Sequence, residues 1–144
     1  MSTVDQNSNF KYPWAKPYID EADRVALLDA LDSGWISDGE YIRRFEEGFA
    51  RAIQADHALT TSNGTTALML ALLGLGIGHG DEVIVPGYGF AGAANMVLAV
   101  GAKPVFVDVG RDDWCLDPSQ IELFVTPTTK AIIVIHNYGA VAHM

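Results

Sequence analysis

Cysteine occurs once in these 144 residues, at Cys115. No internal disulfide can form, and the sequence is compatible with a reducing cytosol. No helix start or basic residue adjoins Cys115 in sequence, so it reads as a packed thiol rather than a nucleophile. Basic residues are also scarce, with nine Lys and Arg against 18 Asp and Glu and a net charge of −9. A nucleic-acid partner would need a Lys/Arg-rich face to displace counterions, and is not expected. The adjacent pair Arg43-Arg44 falls beside Glu46 and Glu47 in a helical pattern and reads as a solvated helix face. Long hydrophobic runs are missing as well. Ala67 to Ile77 is broken by Gly74 and Gly76 and falls short of the ~20 residues that a spanning helix needs, so no membrane partner is expected. The stretch from Met1 to Asn9 has neither the basic start nor the apolar core of a secretory signal. It reads as a loose arm, and the expected compartment is the cytoplasm. No residues are assigned to a metal.

What is present is apolar content, at 49% of residues, enough for one sizeable domain. After the arm, Tyr12-Pro13-Trp14 and Lys16-Pro17 keep the backbone extended. Val25, Leu28 and Leu31 then recur at helical spacing, with Asp20, Glu21 and Asp23 in a first turn that suits acidic groups and Gly34 as a stop. A second amphipathic helix is expected over Glu40 to Ile53, with Ile42, Phe45, Phe49 and Ile53 as its apolar stripe. From residue 57 strand and helix signals alternate: strand 57–61, helix 65–75, strand 82–86, helix 91–100, strand 103–107, a short helix 118–125, and a buried strand from Ile132 to Ile135. This rhythm predicts an α/β fold with a mostly parallel sheet flanked by helices. The glycines at 74, 76, 78 and 80 follow a helix and precede a strand. That is the reverse of a dinucleotide fingerprint, so they read as a helix stop and a turn.

One segment points to chemistry. Thr60 to Leu73 reads Thr-Thr-Ser-Asn-Gly-Thr-Thr-Ala-Leu-Met-Leu-Ala-Leu-Leu, a polar turn opening into an apolar helix. A helix start leaves backbone N–H groups without intrahelical partners, and these favour an anion such as phosphate. Gly64 would let the anion approach, and Thr65 and Thr66 would add hydroxyls. The other reading is that Ser62 or Asn63 simply caps a buried helix.

Three further segments follow in order: Gly-Asp-Glu-Val-Ile-Val-Pro-Gly-Tyr-Gly-Phe at 80 to 90, Gly-Ala-Lys-Pro-Val-Phe-Val-Asp-Val at 101 to 109, and Lys-Ala-Ile-Ile-Val-Ile-His-Asn-Tyr-Gly at 130 to 139. With the Asn-Gly-Thr turn and Ser-Gly-Trp-Ile-Ser at 33 to 37, this ordered set resembles the amino-terminal half of the DegT/DnrJ/EryC1/StrS aminotransferases, from about Pro17 to Met144. The resemblance implies part of the large domain of a fold-type I enzyme dependent on pyridoxal 5'-phosphate. The expected organisation is an extended arm over 1–16 and, over 17–144, an incomplete amino-terminal part of that large domain.

The resemblance also implies an activity: transfer of an amino group from an amino acid to a nucleotide-linked keto sugar, in amino-sugar or polysaccharide biosynthesis, by a homodimer. It places the phosphate turn on Gly64, Thr65 and Thr66 and the ring-stacking aromatic on Phe90. His136 becomes a polar group near the ring, Trp35 a contact to the substrate or a residue near a subunit interface, and Tyr138 a contact to the substrate. Each has a plainer alternative: core packing for Phe90 and Trp35, and a buried histidine bonded to backbone for His136. Asp108, at the end of its strand, reads as a turn cap.

None of the four lysines, Lys11, Lys16, Lys103 and Lys130, matches the family's Schiff-base position. That lysine, the aspartate at the pyridine nitrogen and the small domain are all expected on sequence beyond this stretch, so no catalytic residue is assigned and the chain alone is expected to be inactive. A sugar-dehydrating branch of the family, and a non-catalytic remnant or half-site that binds a phosphorylated ligand or a partner, both stay open. Gly87 and Gly89 stand where Ser and Thr are common in the family, so the loop before Phe90 is expected to be looser. Ala140, Val141 and His143 replace the frequent Gln, Pro and Asp.

Overall fold

A reciprocal pair of side-chain hydrogen bonds, rather than apolar burial, sets where the first helix begins. The computed structural model describes residues 17–144; the expected arm and its extended Pro segments lie outside the described residues. Two compact units divide at Leu59/Thr60.

In the first unit, helix α1 (Glu21–Asp32) starts at Asp20, whose carboxylate accepts from the N–H groups of Ala22 and Asp23, while the Asp23 side chain accepts from the Asp20 N–H. This reciprocal cap fixes the helix start. Helix α2 (Glu40–Ile53) follows Gly39 and ends at Gln54 in the left-handed region. Tyr41 of α2 donates its phenol hydrogen to Asp29 of α1 at 2.7 Å, and this bond pushes the phenol's pKa up. The anticipated apolar stripe is present and open to solvent: Phe45 and Phe49 stack at 5.8 Å, and both, with Ile53, remain exposed. Val25, Leu28 and Leu31 of α1 are exposed as well.

The second unit holds helix α3 (Gly64–Gly74), strand β1 (Glu82–Pro86), helix α4 (Gly92–Ala99), strand β2 (Lys103–Val107), the short helix α5 (Pro118–Ile121) running into a 3₁₀ turn at Glu122–Phe124, strand β3 (Thr129–Ile132), and a last 3₁₀ turn at Asn137–Gly139. The sheet is wholly parallel, in the order β2-β1-β3. Successive side chains of the central strand point to opposite faces. Val83 and Val85 pack with Leu72, Ile77, Val97 and Ala102 on the face covered by α3 and α4. Ile84 packs with Val107 and Leu116 on the other, against Ile121 and Val134. Burying each of these three β1 side chains stabilises the fold by roughly 1.5–3 kcal/mol.

Two expected strands differ. Residues 57–61 form no strand. Among the described residues β1 alone lies beside β2 and β3, so nothing supplies this run with a ladder. The last strand is Thr129–Ile132 rather than 132–135, and it is an edge with Ile132 43% exposed instead of buried. Pro86 explains its early end. Along β1 the even positions bond toward β3, as Glu82 N–H does to Thr128 O and Ile84 O does from Ile133 N–H. The next position in that alternation is Pro86, which has no N–H to offer.

Candidate functional site

Parallel strands place their carboxyl ends together, and ligands of open α/β sheets collect there. The turns that follow β1, β2 and β3 carry Phe90, Trp114 and Tyr138 respectively.

At the α3 start the Asn63 cap is formed. The Asn63 side chain accepts from the Thr66 N–H at 2.9 Å, and the Thr66 hydroxyl donates to Asn63 O at 2.9 Å and lies 3.1 Å from Ser62 Oγ. Thr66 is thereby absorbed into the cap, while the Gly64 and Thr65 N–H groups, one and two positions into the helix, are not taken by it. A side chain at Gly64 would meet nothing within 4 Å. The glycine therefore leaves open room in front of the helix.

Phe90 is 79% exposed and lies outside the core of the described residues. Its ring lies against Gly92, where an added Cβ would come within 2.7 Å of the ring and 3.4 Å of Thr65 Oγ1. The structure thus brings Phe90 and Thr65 together at the α3 start.

His136 accepts a hydrogen bond from the Ala142 N–H on Nδ1 at 3.1 Å, so its proton sits on Nε2. It is bonded to backbone as the plainer alternative has it, yet exposed rather than buried. Tyr138, 74% exposed, occupies the left-handed region at φ 53°.

Trp35 belongs to the first unit. There it lines a groove of about 480 Å³ with Asp29, Tyr41 and Arg44 and is 69% exposed.

Three residues escaped the sequence reading. Tyr88 places its hydroxyl 2.6 Å from that of Tyr138 and its ring 5.1 Å from Trp114, and the bond to Tyr138 pushes the Tyr88 phenol's pKa up. Asn137 donates from its side-chain amide to Trp114 O at 2.6 Å. The available signal was a tyrosine between two glycines, Gly87-Tyr88-Gly89, followed by Phe90.

Asp108, Cys115 and Lys103 have structural tasks. Asp108 accepts from the Val109 N–H. Cys115 is fully buried with its thiol against Asp113 O and Ala140 O. Lys103 pairs with Glu82 at 2.8 Å, at the amino-terminal end of the sheet, away from Phe90. Among the described residues no cluster of three metal-ligating side chains occurs, and no helix is long and apolar enough to cross a membrane.

Comparison with known proteins gives this geometry a context. The chain is 44% identical over 131 residues to the GDP-perosamine synthase of Caulobacter vibrioides, covering 90% of this chain and 35% of that protein. It is 45% identical over 133 residues to the UDP-4-amino-4-deoxy-L-arabinose–oxoglutarate aminotransferase of Shewanella sediminis, covering 92% and 34%. It therefore spans about a third of the length of these curated relatives. Among solved structures, S. venezuelae DesV in complex with a ketimine intermediate superposes with a TM-score of 0.80 at 43% identity, over 83% of this chain and 32% of that one. The fold is accordingly that of the fold-type I transferases. A profile of the DegT/DnrJ/EryC1/StrS aminotransferase family matches residues 17–144, and the chain belongs to that family.

Proposed function

We propose that this chain is the amino-terminal part of the large domain of a pyridoxal-phosphate-dependent aminotransferase, acting on a nucleotide-linked keto sugar with an amino acid as donor. The observation that carries the reading is the meeting of an anion-binding helix start with an exposed aromatic ring: Gly64 and Thr65 at the head of α3, and Phe90 beside Thr65 across Gly92. The Gly64 and Thr65 N–H groups and the Thr65 hydroxyl would hold the phosphate, with the helix dipole favouring its charge. Phe90 would cover one face of the pyridine ring and exclude water from it. His136, through Nε2–H, would donate toward the ring's polar edge. The names of both curated relatives, a GDP-sugar synthase and a UDP-sugar aminotransferase, support a nucleotide sugar as substrate, contacted by Tyr138. When bound, the cofactor supplies an electron sink for amino transfer.

The lysine for the covalent step is assigned to sequence beyond residue 144, so residues 1–144 alone bind without turning over. The assembled enzyme is a homodimer in the cytoplasm. Amino-group transfer, rather than the dehydration of the sister branch, is favoured by the name of the Shewanella sediminis relative, an aminotransferase.

The test is pyridoxal-phosphate binding to the full-length product of the native gene, followed by absorbance. Gly64→Asp, which places a like charge before the phosphate, and Phe90→Ala should each weaken it at least tenfold. Unchanged affinity in both variants would refute the site. The intact mass of that product, set against the 15.5 kDa of these residues, tests whether the lysine lies downstream.

A further inference from the structure

The turn that delivers Phe90 begins Gly87-Tyr88-Gly89. Glycines on both sides leave a backbone that loses more conformational entropy on ordering than any other sequence would. The family's usual hydroxyl side chains at these positions are missing. Something else must hold the turn.

The structure shows what does. Tyr88 and Tyr138, 50 residues apart in sequence, bring their phenol oxygens to 2.6 Å, one donating to the other. Their rings lie 6.4 Å apart, and the Tyr88 ring rests on Trp114 at 5.1 Å. Trp114 and Tyr138 are both non-glycine residues in the left-handed region, at φ 59° and 53°. That conformation is costly and persists only where the surroundings over-determine it. Asn137 completes the frame by donating to Trp114 O at 2.6 Å. Below it, Gly89 lies so near Ile135 that an added Cβ would stand 3.0 Å from Cδ1. The three turns at the carboxyl end of the sheet are therefore cross-braced by side chains, with Tyr88 at the centre and only Gly89 between it and Phe90.

We propose that Tyr88 and Tyr138 are positioning residues for Phe90: their phenol bridge replaces the missing turn hydroxyls and sets where the stacking ring stands relative to the α3 anion site. The bridge acts through the turn, so it governs affinity for a ligand that has both a phosphate and an aromatic ring, and not for phosphate alone. This inference rests on the proposed cofactor site and adds to it two residues and a division of labour.

The experiment uses the full-length protein and the variants Tyr88→Phe, Tyr138→Phe and the double substitution, each of which keeps the rings and removes only hydroxyls. Pyridoxal phosphate and inorganic phosphate are titrated separately, and tyrosinate absorbance is followed against pH without cofactor. Each single variant should weaken pyridoxal phosphate about threefold or more, the order expected for the loss of one hydrogen bond. The double variant should be no worse than either single, because one bond is lost in all three. Phosphate affinity should be unchanged. Tyr138→Phe should lower the ionisation midpoint of Tyr88, whose pKa the bond raises, and this reading is independent of any ligand.

Variants that bind pyridoxal phosphate like the unsubstituted protein, or losses that add, overturn the bridge while leaving the cofactor site standing. A uniform loss of both ligands overturns it too, since that marks general damage. If the unsubstituted protein binds no pyridoxal phosphate, the cofactor site falls and the positioning role falls with it, whatever the tyrosinate titration shows of the bond itself.

Discussion

Gly92 lies against the edge of Phe90: a Cβ at position 92 would stand 2.7 Å from one ring carbon and 2.8 Å from another. The relationship is directional, because the ring is 79% exposed and can swing away whereas Gly92, in the first turn of α4, is buried. Gly92→Ala should therefore displace the ring rather than open the core. Stability should change by less than about 1 kcal/mol, the range of tolerated small changes, while pyridoxal-phosphate affinity falls about tenfold. Thermal unfolding and ligand titration on one preparation check both. A large loss of stability with affinity intact would mean that the ring does not yield.

Asn63 separates the two readings of the α3 start. Its side chain satisfies the Thr66 N–H, so Asn63→Ala should cost about 1 kcal/mol of stability through the lost cap. Asn63→Asp keeps an acceptor there and should be nearly neutral in stability, yet its charge faces the proposed phosphate and should weaken inorganic phosphate binding severalfold. Chemical denaturation and phosphate titration read the two effects independently. If Asn63→Asp leaves phosphate affinity unchanged, the turn is a cap and nothing more.

The sheet was legible where hydrophobic pattern and turn chemistry agree. Glu82–Pro86 and Lys103–Val107 are short β-rich runs closed by glycine or aspartate, and both strands start and stop where the sequence places them. Pattern alone failed where hydrogen-bond supply decides. Residues 57–61 have strand composition but no ladder, and Ile133 to Ile135 have a strand's side chains but face Pro86, which cannot donate. Phe90 and the α3 turn were visible as a local signature in order along the chain. The Tyr88–Tyr138 bridge was not, because a contact across 50 residues leaves no periodic trace, and glycines on either side of Tyr88 drew the reading toward looseness when a brace lies between them.

Gly89 tests how tightly that brace closes. Its φ is +143°, a region that side-chain-bearing residues rarely adopt, and an added Cβ would stand 3.0 Å from Ile135 Cδ1. Backbone strain and crowding act in the same direction, so Gly89→Ala should destabilise the fold by about 1–3 kcal/mol. Ile135→Val removes the crowding methyl but not the strain, and in the double variant should recover only part of the loss. Urea unfolding of the three variants checks this; full recovery would show that crowding was the whole effect.

The opposite end of the sheet carries the pH dependence. Glu82 of β1 accepts from Lys103 Nζ of β2 at 2.8 Å and from Thr126 Oγ1, in the turn before β3, at 2.6 Å. One carboxylate thus ties all three strands at their amino-terminal end. These bonds, Lys103 first and Thr126 second, hold its pKa below the ordinary 4.5. A carboxyl whose pKa is lower folded than unfolded binds its proton more readily in the unfolded chain. Its contribution to stability is therefore complete above about 4.5 and is lost as pH falls through the folded value. Glu82→Gln keeps the side-chain carbonyl as an acceptor for Thr126 but cannot titrate. Between about pH 6 and pH 3, the unfolding midpoint of the unsubstituted protein should fall more steeply than that of the Glu82→Gln variant, and the difference between the two curves isolates this carboxyl from the other 17 acidic residues. The difference should shrink in high salt through the exposed Lys103 partner but not vanish, because the Thr126 bond is short and uncharged on one side. Parallel curves across that range would show that the tie carries no pH-dependent stability.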